Sequence, residues 1–186
     1  GAHVSAETCT QYLVNTIDDL RRDGVEGARY ICSPPLRDAS NHEPLWDYVR
    51  RGVLESVSTD HCPFNYEQKS RGLDNFSLVP NGLPVIQHRL AKLWDEGVVT
   101  GRITPSQLVD RTSTTIARRF GLHDKGAIAP GKDADICVFD PSAPRAYGTE
   151  NSFMNVDYDL YEGETASGSV RHTFCRGELV YDRGEI

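Results

Sequence analysis

The sequence predicts an α/β fold for about its first two thirds and a set of short β-strands for the remainder. Residues 45–51 have helical spacing of apolar side chains and directly precede an apolar run at 53–57, which indicates a helix that feeds a strand. From Gly126 onward, glycine, proline and aspartate interrupt short β-type runs. The change lies near residues 122–126, so we predict one domain over residues 1–124 and a second over 125–186.

Two further strands and one helix are predicted before residue 60. The apolar stretches at 2–9 and 28–32 have the length of buried strands. The helix at 45–51 is expected to bury the residues that share one face, which are Leu45, Tyr48 and Val49.

Three helices are predicted between residues 84 and 120. The first covers 84–96 and has an apolar stripe of Ile86, Leu90, Leu93 and Trp94. The second follows Thr104-Pro105, a typical N-cap and first-turn proline, and is expected to bury Leu108 and Val109. The third covers 116–120 and ends at Gly121.

The second part of the chain is predicted to consist mainly of strands. Its β-type runs lie at 135–139, 158–161, 169–174 and 178–181. Arg176-Gly177 separates the last two runs and predicts a hairpin turn.

The composition excludes several classes of partner. The chain has 20 Lys and Arg against 27 Asp and Glu, mixed along the sequence, so it has no basic stripe for nucleic acid. No apolar run approaches the roughly 20 residues of a membrane span. The five cysteines are widely spaced and odd in number, which favours reduced thiols and a cytoplasmic protein. The chain begins at Gly1 within an expected strand, and we therefore expect it to be part of a longer protein.

The best candidate for a catalytic group is Asp60, which follows the apolar run at 53–57 beside His61. Active sites in α/β barrels are built where strands end, and a carboxylate there can bind a divalent metal or act as a general base. The alternative is a structural role, as a helix cap or as the partner of an arginine. Cys62 also adjoins His61, but neighbours in sequence rarely face each other, which argues against a catalytic Cys–His pair.

Two rigid loops are candidate binding elements. Pro34 and Pro35 restrict the backbone after Ser33, and Asn81-Gly82 lies between prolines. Such loops can hold main-chain groups in fixed directions toward a small polar ligand, although purely structural turns explain the pattern equally well. Residues 126–133 mimic a phosphate-binding loop, but Asp133 replaces the required Ser or Thr, so we interpret them as a β-turn.

Together these segments resemble the dihydropyrimidinase and hydantoinase family of cyclic amidohydrolases. They occur in the family's order across nearly the whole chain and comprise Glu7–Leu13, Cys32–Arg37, Ser58–Phe64, Pro80–Pro84, Asn155–Gly163 and Gly168–Gly177. The resemblance implies the C-terminal part of a metal-dependent (β/α)₈ barrel over residues 1–124 and the C-terminal strands of a small β-sandwich over 125–186. The chain would then be roughly the final two fifths of a family subunit.

The resemblance also implies a site and a reaction. Asp60 matches the aspartate that ends the eighth barrel strand and binds one of two divalent ions, usually zinc, and it would transfer the proton during ring opening. Ser33 and Asn81 match the positions whose main-chain groups hold the ring amide of a cyclic diamide. His3 lies after the last metal histidine of the family and is not expected to be a ligand. The product would be an N-carbamoyl amino acid, as in pyrimidine catabolism, and family members are cytoplasmic homotetramers.

Three alternatives remain open from the sequence. A dihydropyrimidinase-related scaffold protein would share the fold without catalysis, and an allantoinase or a dihydroorotase would act on a related ring. In every case we expect the chain alone to be inactive, because it supplies one metal ligand where the family site needs about six.

Overall fold

The computed structural model describes residues 4–186, in which short helices predominate before residue 120 and strands predominate after residue 135. The helices are α1 Thr10–Val14, α2 Ile17–Leu20, α3 Val25–Ala28, α4 His42–Arg51, α5 Tyr66–Ser70, α6 Arg89–Leu93, α7 Pro105–Val109 and α8 Thr115–Arg119. The strands are β1 Glu7–Cys9, β2 Ser56–Ser58, β3 Ile136–Asp140, β4 Arg145–Ala146, β5 Thr165–Ala166, β6 Ser169–Cys175 and β7 Glu178–Asp182.

The predicted helix-to-strand unit is present and forms a parallel pair. Helix α4 ends at Gly52, whose φ of 77° is readily adopted by glycine, and β2 follows four residues later. Strand β2 pairs in parallel with β1, with Thr8 opposite Val57. The predicted strand at 2–9 is confirmed for Glu7–Cys9, while residues 1–3 lie outside the described residues. The carboxyl ends of both strands therefore lie side by side.

The predicted strand at 28–32 is wrong. Ala28 ends helix α3, and Ile31 and Cys32 are irregular. The Ile31 carbonyl accepts hydrogen bonds from the Gly82 amide and the Lys69 ammonium group instead of from a neighbouring strand. The apolar composition of this stretch reflects burial in the core, which does not require strand pairing.

The predicted inner face of helix α4 is partly wrong. Trp46 and Val49 are buried, whereas Tyr48 is exposed. The large indole of Trp46 sets the orientation of the helix, packs with Leu13 and Leu93, and donates a hydrogen bond to the Leu13 carbonyl at 3.2 Å.

The helical predictions after residue 84 are confirmed in part. Residues 84–85 are irregular, 86–88 form a turn, helix α6 begins at Arg89, and the chain continues as a π-helix over Trp94–Val99. Thr104 caps α7 in a capping box with Gln107, as its sequence predicts. Leu108 is buried, but the predicted burial of Val109 and Ile86 is wrong, because both side chains are exposed.

Three of the strands after residue 135 form an antiparallel sheet in the order β3-β6-β7, and β4 and β5 form a separate antiparallel pair. The hairpin between β6 and β7 turns at Arg176-Gly177, and both residues have positive φ, as a type I′ turn requires. The predicted strand at 158–161 is wrong: this segment is irregular, and all four side chains are buried. Its tyrosines and leucine fill the core as a coil.

The core joins side chains from both predicted domains. One cluster brings Tyr30, Leu36 and Leu83 together with Tyr147 and the segment at 158–161. The division at residues 124 and 125 stays a prediction, because sharing of a cluster does not locate a boundary. In the described part of the chain, no helix is long and apolar enough to cross a membrane.

A buried contact between an imidazole and a carboxylate lies within this shared core. His88 Nε2 is 3.1 Å from the Asp159 carboxylate, and both side chains are almost completely buried. The other Asp159 oxygen accepts a hydrogen bond from the Tyr161 amide at 2.8 Å. Burial by itself would raise the pKa of Asp159, but the His88 ring and nearby main-chain amides outweigh it and lower this pKa.

Substitution of Asp159 by alanine is expected to destabilise the chain by about 1–3 kcal/mol, because removal of the carboxylate leaves the His88 ring and the Tyr161 amide buried without a partner. Denaturation by urea measures this loss. Glu162→Ala is the matched control in the same segment: Glu162 is exposed, and its loss should cost less than about 0.5 kcal/mol. Equal costs for the two variants would show that the buried pair contributes nothing.

The same pair predicts a pH dependence with a definite sign. Since the folded pKa of Asp159 lies below its ordinary value of 3.8, its contribution to stability is complete above that pH and is lost as the pH falls through the folded pKa. The stability difference between the unsubstituted chain and Asp159→Ala should therefore shrink in acid, as the pH falls through the folded pKa of Asp159. A difference that grows in acid would contradict this assignment.

Candidate functional site

Asp60 lies just beyond the carboxyl end of β2, at a bend in the backbone. Its φ of 48° lies in the left-handed region, which aspartate tolerates better than most residues. The residue is exposed, and no hydrogen bond or ion pair joins its carboxylate to another residue between 4 and 186. The predicted alternative of a structural cap or an arginine partner therefore has no support within this range.

The His61 ring bonds to the main chain and makes no hydrogen bond with Asp60. Its Nδ1 accepts hydrogen bonds from the amides of Val85 and Ile86 at 3.2 and 3.3 Å. Burial lowers the pKa of His61, and the charge of His88 adds to this effect. A neutral ring with its proton on Nε2 satisfies both bonds, so His61 fixes the end of β2 to the loop at 83–86.

A cleft of about 540 Å³ opens in front of Asp60. Cys9, Tyr12 and Pro34 contribute to its wall, and the Tyr12 hydroxyl donates a hydrogen bond to the Pro34 carbonyl at 2.9 Å. Burial raises the pKa of Tyr12, and the surrounding charges of Cys32, Cys9 and Asp60 act in the same direction. Tyr12 therefore stays protonated as a hydrogen-bond donor at neutral pH.

The two predicted binding loops meet beside this cleft. Ser33 Oγ donates a hydrogen bond to Asn81 Oδ1 at 3.0 Å, although 48 residues separate them in the sequence. Both residues are exposed, and their main-chain N–H and C=O groups form no hydrogen bond with any other described residue. These four groups are consequently available to a polar ligand. Pro34 lines the cleft of Asp60, so the Ser33–Asn81 contact lies close to it.

The Asn81 loop is seated closely on the segment that follows Asp60. Gly82 has a φ of 148°, and a Cβ atom there would lie 2.4 Å from the Cys62 carbonyl oxygen. Only glycine allows this approach. The Cys62 amide donates a hydrogen bond to the Leu83 carbonyl at 3.2 Å, which adds a second link between the two segments.

Lys69 joins the two loops from beneath. It is fully buried on α5, and its ammonium group donates hydrogen bonds to the carbonyls of Ile31, Pro80 and Gly82 at 3.0, 2.8 and 2.8 Å. Ile31 precedes the Ser33 loop, and Pro80 and Gly82 flank Asn81. The side chain is therefore the common anchor of both loops.

The donor chemistry of the site suits a divalent cation in part. The Asp60 carboxylate is exposed to the cleft and has no partner among residues 4–186, which leaves its oxygens free to act as ligands. Within the same range, no three side chains of His, Cys, Asp or Glu converge in a way that could hold a metal. Asp60 can supply one ligand, and the others must come from groups outside this range.

The sequence profile of the Amidohydrolase family matches residues 1–180. The chain belongs to the amidohydrolase family. Members of this family are generally metal-dependent.

Individual relatives of this amidohydrolase chain include the D-hydantoinase of Geobacillus stearothermophilus, which is 44% identical over 97% of the chain and 39% of its own length. The dihydropyrimidinase of Brevibacillus agri NCHU1002 superimposes with a TM-score of 0.95 at 44% identity, over 98% of this chain and 40% of that one. A D-hydantoinase (dihydropyrimidinase) from Thermus sp. gives a TM-score of 0.96 at 37% identity, over 100% and 41%. The chain thus spans about two fifths of the length of these relatives.

These similarities confirm the predicted fold class and the resemblance to hydantoinases and dihydropyrimidinases. The solved relatives are barrel-type amidohydrolases, and this chain corresponds to part of such a protein. The roles of Asp60, Ser33 and Asn81 stay predictions, because the similarities concern whole segments and not individual side chains.

Two residues that shape the site of this amidohydrolase chain were missed by the sequence reasoning. Lys69 lies in a polar stretch, and nothing in its local sequence marks it as buried. Tyr12 lies one turn beyond β1 and was noted only within the family pattern. A buried lysine on a five-residue helix could have been suspected only from the tertiary structure.

Substitution of His61 by alanine is expected to release the amides of Val85 and Ile86, because both lose their acceptor. Hydrogen exchange of these two amides, measured by NMR, should become about tenfold faster, because each amide loses the protection given by roughly one hydrogen bond. The amide of Lys92, which bonds to the His88 carbonyl at 2.9 Å, serves as an internal control. Unchanged exchange at residues 85 and 86 would show that His61 does not anchor this loop.

Proposed function

We propose that the protein containing this chain hydrolyses the ring amide bond of a cyclic diamide, either a hydantoin or a dihydropyrimidine, to an N-carbamoyl amino acid. The observation that carries the proposal is the placement of the Asp60 carboxylate, which has no partner among residues 4–186, at the end of a parallel strand pair, in a cleft beside the Ser33–Asn81 contact. The similarity to proteins named hydantoinase and dihydropyrimidinase supports the same assignment.

Asp60 has the chemistry for two steps of this reaction. Its free carboxylate can accept the proton of the attacking water and then deliver it to the ring nitrogen that leaves, so one group acts as base and then as acid. It can also hold a divalent ion, and a pair of zinc ions is the expected complement. Such ions supply the charge that activates water near neutral pH and polarises a carbonyl.

Ser33 and Asn81 would bind and orient the ring. A cyclic diamide has N–H and C=O groups in fixed directions, and the unused main-chain N–H and C=O groups of these two residues are complementary to them. The hydrogen bond between their side chains fixes the spacing of the two loops. Fixed donors and acceptors favour a rigid ring over a flexible open-chain amide.

The chain by itself is proposed to be inactive. Residues 4–186 contain no group of three metal-binding side chains, and Asp60 alone is a weak ligand. Assembly as a tetramer and a cytoplasmic location are the family pattern and stay predictions. The Asp60 carboxylate has no partner among residues 4–186, which argues against the scaffold alternative. Experiment decides between a catalytic protein and a scaffold.

The proposal is tested with a chimera in which this chain replaces the matching C-terminal part of the Geobacillus stearothermophilus D-hydantoinase. The zinc-loaded chimera should hydrolyse hydantoin or dihydrouracil, whereas this chain alone with added zinc should not. Allantoin and dihydroorotate are assayed in parallel, because preference for either would reassign the substrate. A folded, zinc-loaded chimera without any hydrolysis would favour the scaffold alternative.

In the same chimera, Asp60→Asn should lower kcat by about 10²-fold or more, since loss of a general acid–base typically costs that much. Asparagine also tolerates positive φ, so the bend at residue 60 is preserved. Asp74→Asn makes the same charge change in an exposed loop and should leave kcat unchanged. An Asp60→Asn chimera with full activity would remove Asp60 from the mechanism.

A further inference from the structure

The three acceptors around Lys69 match the three donors of its ammonium group. Each carbonyl lies within 3.0 Å of Nζ, and no carboxylate pairs with the lysine in the part of the chain that the structure describes. A buried ammonium group without a counterion is costly unless all of its donors are satisfied. The arrangement therefore depends on the simultaneous presence of both loops.

The three carbonyls also depend on Lys69. Carbonyl oxygens that converge on one point repel each other unless a cation lies between them. The direct bond between the loops, from the Gly82 amide to the Ile31 carbonyl at 3.0 Å, uses one of these same oxygens. Without the ammonium group, the Pro80 and Gly82 carbonyls would be left unsatisfied and the two loops could separate.

The surroundings of Lys69 leave its ammonium group charged at neutral pH but bring its pKa close to the neutral range. Burial lowers its pKa to about 8, while the thiols of Cys32 and Cys62 oppose this shift. The Phe64 ring, whose centre lies 5.6 Å from Nζ, also favours the charged form. A neutral amine has two donors in place of three and leaves one carbonyl unpaired.

We propose that Lys69 is a positioning residue for the substrate: it sets the distance between the Ser33 and Asn81 main chains through the carbonyls of Ile31, Pro80 and Gly82, without touching the ring itself. This inference rests on the proposed function for its kinetic consequence, because Ser33 and Asn81 bind the ring only if that function is correct. The structural part of the proposal, that Lys69 holds the two loops together, does not depend on any activity.

The structural test measures hydrogen exchange of the Gly82 amide by NMR in this chain. Lys69→Met keeps the length of the side chain but removes all three donors, and the Gly82 amide should exchange about tenfold faster or more, as expected for the loss of a charge-assisted hydrogen bond. Lys92→Met is the matched control: Lys92 is also buried, but it pairs with Glu164 and lies outside the two loops. Lys92→Met should leave Gly82 unchanged.

The kinetic test uses the chimera described above with dihydrouracil. Lys69→Met should raise KM by about tenfold while kcat changes less than about threefold, because the residue positions the binding groups and touches no reacting atom. In the parent chimera, KM should rise above pH 8, and this rise should be absent in Lys69→Met. A merely structural lysine would instead lower the yield of folded enzyme without altering KM or its pH profile.

The two tests separate the failure of this proposal from the failure of the proposed function. A parent chimera without activity would reject the function, whereas the exchange of Gly82 would still decide the role of Lys69. Unchanged Gly82 exchange, or an unchanged KM in an active Lys69→Met chimera, would overturn the positioning role. If Lys69→Met does not fold, Lys69→Gln, which has two N–H donors in place of three, replaces it in both measurements.

Discussion

The candidate site depends on one buried ammonium group that has no carboxylate partner among the described residues. Lys69 reaches the underside of two loops from helix α5, and this helix is itself held by Asp157, whose carboxylate accepts a hydrogen bond from the Tyr66 amide at 2.7 Å. Asp157, in the second half of the chain, therefore holds helix α5, and Lys69 on this helix holds the two loops. This order of support explains why two exposed polar side chains, Ser33 and Asn81, can keep a defined contact across 48 residues.

The sequence predicted elements best where capping or turn residues mark their ends. The capped helix at Thr104 and the hairpin at Arg176-Gly177 both have strong local signals of this kind. The wrong predictions at 28–32 and 158–161 share one cause. Both segments are apolar because they are buried in the core, and burial alone does not distinguish a strand from an irregular segment.

The sequence singled out the candidate site residues that carry a local signal. It did not show the contacts that join residues distant in the chain. Asp60 follows a strand and the two loops are marked by prolines, so residue type and position were sufficient to single them out as candidates. The anchors of these elements are distant in sequence: His61 bonds to amides 24 and 25 residues away, and Lys69 bonds to a carbonyl 38 residues away. Such contacts arise from the tertiary fold and have no local pattern.

The backbone at Asp60 explains how two adjacent residues acquire opposite roles. The positive φ of Asp60 turns the chain between its side chain and that of His61. The Nδ1 atom of the imidazole accepts hydrogen bonds from main-chain amides. The carboxylate is exposed to the cleft and has no partner among residues 4–186. An unpaired carboxylate makes no hydrogen bond or ion pair within the described residues to offset the backbone strain at residue 60. The positive φ at residue 60 is consistent with the role proposed for Asp60, which needs free carboxylate oxygens at this point.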